Sequence, residues 1–198
     1  MTLVERIRHI LSHPLPGGDE YLVGDDVASG DGGALVPAAV LIAIVDRPSP
    51  GLLLTKRNDA LRRHAGQVAF PGGRIDPGDD GPIAAALREA WEEVSLPPEK
   101  VEVIGTLERY RTISGYAVTP VVGVIPPGLT LVAQSDEVAS LFEAPLDVML
   151  EPSNHIEQAV EWQGRDRHYY EISWDGERVW GATAAMIVNL ARRLAYEG

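Results

Sequence analysis

The chain has 198 residues, a formal net charge of −12 and a sequence pI of about 4.8, so it lacks the basic surface that general nucleic-acid binding requires. It is 45% hydrophobic and 23% charged, which suits one sizeable core rather than a disordered chain. It has no cysteine, so disulfides and thiolate metal sites are excluded, in keeping with a reducing cytoplasm, and no run of about 18 apolar residues marks a membrane span.

Residues 2–12 predict a short amphipathic helix with Leu3, Ile7, Ile10 and Leu11 on one face. Glu5 interrupts its apolar part, so the start of the chain lacks the continuous core of a signal peptide. Residues 14–34 are rich in Gly, Pro and Asp and predict a loop. The division expected is therefore an N-terminal helix and loop over 1–34 and a main domain over 35–198. Residues 36–46 and 51–57 predict a hairpin around Pro48 and Pro50. Residues 58–69 read as irregular, and Pro71-Gly72-Gly73 as a tight turn. Pro82 suits the first turn of a helix over 82–95, with Ile83, Leu87, Ala90 and Val94 as its buried stripe. Pro97-Pro98 stops it. Strands follow over 101–111 and 117–125, then a short helix or turn within 135–150 that packs Leu141 and Phe142 inward. A hairpin over 168–174 and 178–180 turns at Asp175-Gly176, and a helix over 182–195 closes the chain. This order predicts an α/β (α+β) sandwich, a mixed β-sheet between helices.

The helix over 82–95 carries Glu89, Glu92 and Glu93 within one turn, beside Arg88. Like charges at this spacing repel by roughly 0.2–0.5 kcal/mol per pair. One reading is a solvated acidic face. The other is a cluster that reaches one point from the side opposite the apolar stripe and holds a hard divalent cation, Mg²⁺ or Mn²⁺, by oxygen alone. Arg88 could pair with a carboxylate and orient it, and the glycines at 72 and 73 allow close backbone approach.

The spacing resembles the Nudix hydrolase signature: Gly, five residues, Glu, seven residues, then Arg-Glu-apolar-x-Glu-Glu-x-Gly-apolar. Gly73, Arg88, Glu89, Ala90, Glu92, Glu93 and Leu96 fill it. The isolated Glu is replaced by Asp79 or Asp80, with one extra residue in the segment, and the last Gly by Ser95. The resemblance implies a Nudix fold over most of 35–195, with Glu89, Glu92 and Glu93 as metal ligands, Gly72 as a carbonyl ligand and Arg88 as an orienting residue. It also implies hydrolysis of a nucleoside diphosphate linked to another group. Glu92 or Glu93 could act as base for the attacking water, and Glu137 is a further candidate, with a helix-start carboxylate as its plainer reading.

The preceding segment, LLTKRNDALRRHAGQVAFPGG over 53–73, resembles the accessory motif of coenzyme A pyrophosphatases. Leu53, Leu54, Thr55, Arg57, Arg62, Gly66, Phe70, Pro71, Gly72 and Gly73 fit its register, and Asn58 departs from it. The substrate implied is coenzyme A or acyl-CoA. Its extra 3′-phosphate suits arginine forks, for which Arg57, Arg62, Arg63 and Arg74 are candidates. Gln67 is a candidate substrate contact or a partner of the loop backbone, and Phe70 a candidate pocket residue that also reads as core. The alternatives are a Nudix hydrolase of ADP-ribose or another nucleoside diphosphate derivative, and a non-catalytic nucleotide-binding module. The N-terminal helix could cover the core, complete a homodimer or shape the pocket.

Overall fold

The computed structural model describes residues 2–12, 22–23, 34–58, 66–134, 136–162 and 165–195. Its elements are, in chain order, α1 (Leu3–Leu11), β1 (Leu22–Val23), β2 (Val36–Val45), β3 (Gly51–Arg57), β4 (Val68–Ala69), β5 (Gly72–Arg74), α2 (Gly81–Val94), β6 (Glu102–Thr106), β7 (Tyr110–Arg111), β8 (Tyr116–Ile125), β9 (Val138–Pro145), α3 (Leu146–Leu150), β10 (Ile156–Trp162), β11 (Arg165–Trp174), β12 (Glu177–Trp180) and α4 (Ala182–Ala195).

Strand β2 shows why the core has two halves. Ala38, Ile42 and Ile44 enter one apolar cluster, while Ala39, Leu41, Ala43 and Val45 enter another. Alternate residues of a strand face opposite sides, so an almost unbroken apolar run marks a strand covered on both. Helix α2 supplies Ala85, Ala86, Ala90 and Val94 to the second cluster. Helices α1, α3 and α4 supply the first, with Val4, Ile7, Leu146, Met149 and Ile187 among its members. The sandwich of helices around a mixed sheet is thus as the sequence predicts.

The sheet splits where the site forms. Strand β8 runs parallel to β2 along its whole length, Val36↔Tyr116 to Val45↔Ile125. Strand β3 pairs with β2 only at Ile44↔Leu52 and Val45↔Gly51, then leaves it. Strand β4 follows β3 and β5 follows β2 into the gap, joined by Phe70 and Pro71. On the flanks, β9 pairs with β3, while β6 and β7 both pair with β8. A second, three-stranded antiparallel sheet, β10-β11-β12, buries Ile172 and Val179 in the first cluster. Its strand β12 is tied to β3 by Lys56 Nζ and Glu177, 2.9 Å apart.

Several elements differ from expectation. Pro71-Gly72-Gly73 is not a turn: Gly72 begins β5, and the glycines are required by close approach, since a Cβ on Gly72 would overlap the Ala39 carbonyl and Val40. The segment read as irregular before it contains β4. The strand expected over 101–111 is two strands, because its ends pair with different parts of β8. The short helix expected within 135–150 is present as α3, but strand β9 precedes it; the free edge of β3 decides this, and the segment has no clean alternation to announce it. Strand β10 was not anticipated. On α2, Ile83 is 40% exposed, and the buried face runs through Ala85, Ala86, Ala90, Glu93 and Val94. Among the described residues no helix is long and apolar enough to cross a membrane.

Helix α1 is capped by a reciprocal Thr2–Glu5 box and inserts Val4 and Ile7 into the core. Arg6 donates to the Leu194 carbonyl at 3.2 Å, and Arg8 meets Glu102 at 2.7 Å. The N-terminal helix therefore covers the core, one of the three roles left open by the sequence.

Candidate active site

The gap between β3 and β5 faces the buried side of α2. Glu93 is only 6% exposed and accepts the Gly72 N–H at 3.1 Å. Glu89 lies against Gly73, where any Cβ would overlap its carboxyl. Gly73 is thus required by the site itself. Burial pushes the Glu93 carboxyl up to about 7, against the opposing pull of the Gly72 N–H, and burial also raises Glu89. Glu89 and Glu137 add repulsion at Glu93. Glu93 is therefore not opposite the apolar stripe, as its spacing suggests, but within the buried face.

Arg88 organises the outer half of the cluster. Its Nη1 donates to Glu89 at 2.9 Å and to Glu92 at 3.1 Å. Its Nε and Nη2 both donate to Asp79 at 3.0 Å, and Nη2 also reaches the Arg74 carbonyl at 3.0 Å. The hydrogen bonds from Arg88 hold the Asp79 carboxyl below its usual range. Asp80 is exposed and makes no side-chain capping bond at the start of α2. Of the two adjacent aspartates, Asp79 is therefore the one that braces Arg88. The three glutamates do not converge on one point. Glu89 and Glu92 turn to Arg88, Glu93 turns to Gly72, and among the described residues no three His, Asp or Glu side chains form a ready-made metal cage.

The other expected residues fall on both sides of the gap. Glu137 is exposed at the start of β9, within electrostatic reach of Glu89 and Glu93. It is brought there by a strap that sequence reasoning missed: Val132 N–H and Gln134 N–H donate to the last carbonyls of α2, at Val94 and Glu93, and Asn58 N–H donates to the Glu137 carbonyl. Arg57, at the end of β3, lies close enough to Glu93 to favour its charge. Gln67 accepts the Arg57 N–H through its carbonyl at 3.0 Å. Arg74 is exposed and donates to the Tyr116 hydroxyl at 3.0 Å, with its guanidinium over that ring. Phe70 takes its core reading and not the substrate-contact one: it is 3% exposed in the first apolar cluster and anchors the β4–β5 link. Gly72 engages Glu93 through its N–H. Arg62 and Arg63 lie outside the described residues.

The model of the NUDIX domain matches residues 35–176. The chain belongs to the Nudix family. It is 52% identical over 158 residues to proteins of Escherichia coli K12 and Klebsiella pneumoniae, each named an uncharacterized Nudix hydrolase NudL, covering 79% of this chain and 82% of theirs. Among solved structures, a MutT/nudix family protein from Enterococcus faecalis aligns over 98% of this chain and 70% of its own, with TM-score 0.51 and 14% identity.

The Nudix helix ends on a strained residue. Ser95 replaces the signature glycine and adopts the left-handed region, φ 56° and ψ 34°. Its N–H still closes the helix onto the Ala90 and Trp91 carbonyls. An L-residue is disfavoured there by roughly 1–2 kcal/mol, part of which a glycine gives back through its freer unfolded state. Ser95→Gly is therefore expected to stabilise the protein by about 0.5–1 kcal/mol in urea unfolding, with catalysis unchanged. A loss of stability would show that the Ser95 hydroxyl matters more than the backbone.

Nudix hydrolases generally use divalent cations such as Mg²⁺ or Mn²⁺. The residues present fit one by donor chemistry. Glu93 is buried and Glu89 half-buried against glycine backbone, with desolvation raising both, a third acid lies on the same turn, and every donor is oxygen. A cation is the partner that would offset that desolvation.

Proposed function

We propose that this Nudix hydrolase is a divalent-metal-dependent pyrophosphatase acting on coenzyme A or acyl-CoA, releasing 3′,5′-ADP and 4′-phosphopantetheine or its acyl form. The observation that carries the reading is the register of residues 53–73, which matches the coenzyme A pyrophosphatase motif at Arg57, Arg62, Gly66, Phe70 and Gly72-Gly73. Supporting it, β3, β4 and β5 lay this motif around the gap, with Arg57 near Glu93 and Gly73 against Glu89.

Glu89, Glu92 and Glu93 would hold the cation, joined by a Gly72 carbonyl. When bound, it supplies polarisation of a phosphoryl oxygen. Arg88 keeps Glu89 and Glu92 oriented, itself braced by Asp79. Glu93 is a candidate to take a proton from the attacking water, and Glu92 and Glu137 are its rivals for that role. Arg57, with Arg62, Arg63 and Arg74, supplies guanidinium forks for the phosphates, and the Gln67 carbonyl holds the Arg57 N–H in place.

The test is chromatographic. Incubation with coenzyme A and Mg²⁺ or Mn²⁺ is expected to yield 3′,5′-ADP. Dephospho-coenzyme A and ADP-ribose are expected to be poorer substrates, because they lack the 3′-phosphate. Arg57→Ala is expected to raise KM for coenzyme A about tenfold, the order of one charged hydrogen bond. Intact coenzyme A beside cleaved ADP-ribose would replace this substrate with the alternative nucleoside diphosphate derivative. Tight binding without any turnover would favour a binding module.

A further inference from the structure

Among the described residues, four polar or charged residues are buried: Thr55, Glu93, Thr183 and Arg193. Glu93 belongs to the site, and Arg193 lies where α4 meets α1, reaching the Ile10 carbonyl at 3.5 Å. The two threonines act together on a single short strand. Thr55 Oγ1 donates to the Ala69 carbonyl at 3.1 Å, and Thr183 Oγ1 donates to the Val68 carbonyl at 3.1 Å. Val68 and Ala69 are the whole of β4, whose ladder with β3 is only Thr55↔Ala69 and Lys56↔Val68. So small a strand cannot be held by its ladder alone. It is gripped by one hydroxyl from β3 and one from the first turn of α4.

Strand β4 adjoins the hinge of the site. Residue 67 immediately precedes it. The Gln67 carbonyl accepts the Arg57 N–H at 3.0 Å, and the Gly66 N–H donates to the Arg57 carbonyl at 3.2 Å. These two bonds close a neck between the end of β3, at the motif residue Arg57, and the start of β4. In the other direction, Gly72 is already held by pairing with Val40 and by Glu93. Releasing Val68 should therefore disturb the Arg57–Gln67 neck and leave the glutamate side in place.

We propose that Thr183 is a positioning residue for the substrate side of the site, acting through the Val68 carbonyl on the Arg57–Gln67 neck. This rests on the proposed function in that the neck is taken as part of the substrate site. It assigns a role to a residue beyond the segment matched by the family, residues 35–176. Only the hydroxyl is needed, so serine can replace threonine and valine, of equal size, cannot.

The experiment compares Thr183→Val and Thr183→Ser with the unmodified chain by amide hydrogen exchange and by steady-state kinetics with coenzyme A. Thr183→Val is expected to speed exchange at the Arg57 and Gly66 amides at least tenfold. The Leu41 and Ile75 amides, bonded to Pro71 and Pro37 on the β5 side, should be unchanged. It should raise KM at least fivefold with kcat within twofold, and Thr183→Ser should restore both readings. Unchanged exchange at Arg57 and Gly66, a fall in kcat at constant KM, or no rescue by serine would each overturn the proposal. If the valine variant does not fold, Thr183→Ala is read in its place by the same criteria. If the unmodified chain cleaves no nucleotide, the proposed function fails, while the exchange comparison still decides whether Thr183 holds the neck.

Discussion

Glu93→Gln is expected to cut turnover sharply and, at the same time, to raise the melting temperature of the metal-free protein above pH 7. The two effects share one cause. Glu93 is 6% exposed, and burial lifts its carboxyl from 4.5 to about 7. The folded state therefore holds a proton that the unfolded chain releases between those values. Where the folded state binds more protons, stability falls as pH rises. Glu93 favours the fold fully below about 4.5, and that support is lost as pH climbs through about 7. At about 1.36 kcal/mol per pKa unit the loss is about 3 kcal/mol. Glutamine can still accept the Gly72 N–H but carries no charge to desolvate. It should recover that amount at pH 8, about 5–10 °C in Tm for a domain of this size. Activity should drop on the order of 10²–10³-fold, the scale for removing a group aimed at developing charge. Thermal scans at pH 5 and pH 8 in chelator, with turnover measured in metal, separate the two effects. Equal Tm values for the variant and the unmodified chain at pH 8 would contradict the burial argument.

The second large effect distinguishes two adjacent aspartates. Asp79→Ala is expected to lower turnover about 10–100-fold, the range for losing a group that orients metal ligands, whereas Asp80→Ala should remain within twofold. Asp79 takes two hydrogen bonds from Arg88, and Arg88 in turn holds Glu89 and Glu92. Without Asp79 the guanidinium loses its brace and is free to swing off the glutamates. Asp80 is exposed and bonds nothing at the helix start. The sign with pH is opposite to that of Glu93. The Asp79 carboxyl lies below its usual range, so the brace is present above that range and is lost as pH falls through the depressed value. Kinetics of the two variants, with Mg²⁺ varied, check this; equal losses would mean that both aspartates act through the helix start and not through Arg88.

Taken alone, the sequence determined the chemistry and the class of fold. The spacing of Arg88, Glu89, Glu92 and Glu93 after Gly73 identified the family, because a helical turn and a glycine contact are local constraints that a linear pattern records. The order of strands and helices likewise pointed to a mixed sheet between helices. Only tertiary structure decided what depends on residues far apart in the chain. Asp79 was separated from Asp80 by which one meets Arg88, nine residues later. Glu93 was moved to the buried face by its contact with Gly72, twenty-one residues earlier. Phe70 went to the core, β9 became a strand on the edge of β3, and Thr183 reached back to Val68 across 115 residues. Periodicity fixes which residues share a face of one element, but not which face the rest of the molecule will cover, and pairing across the gap between β3 and β5 is set by the packing of α2 and α4 on either side.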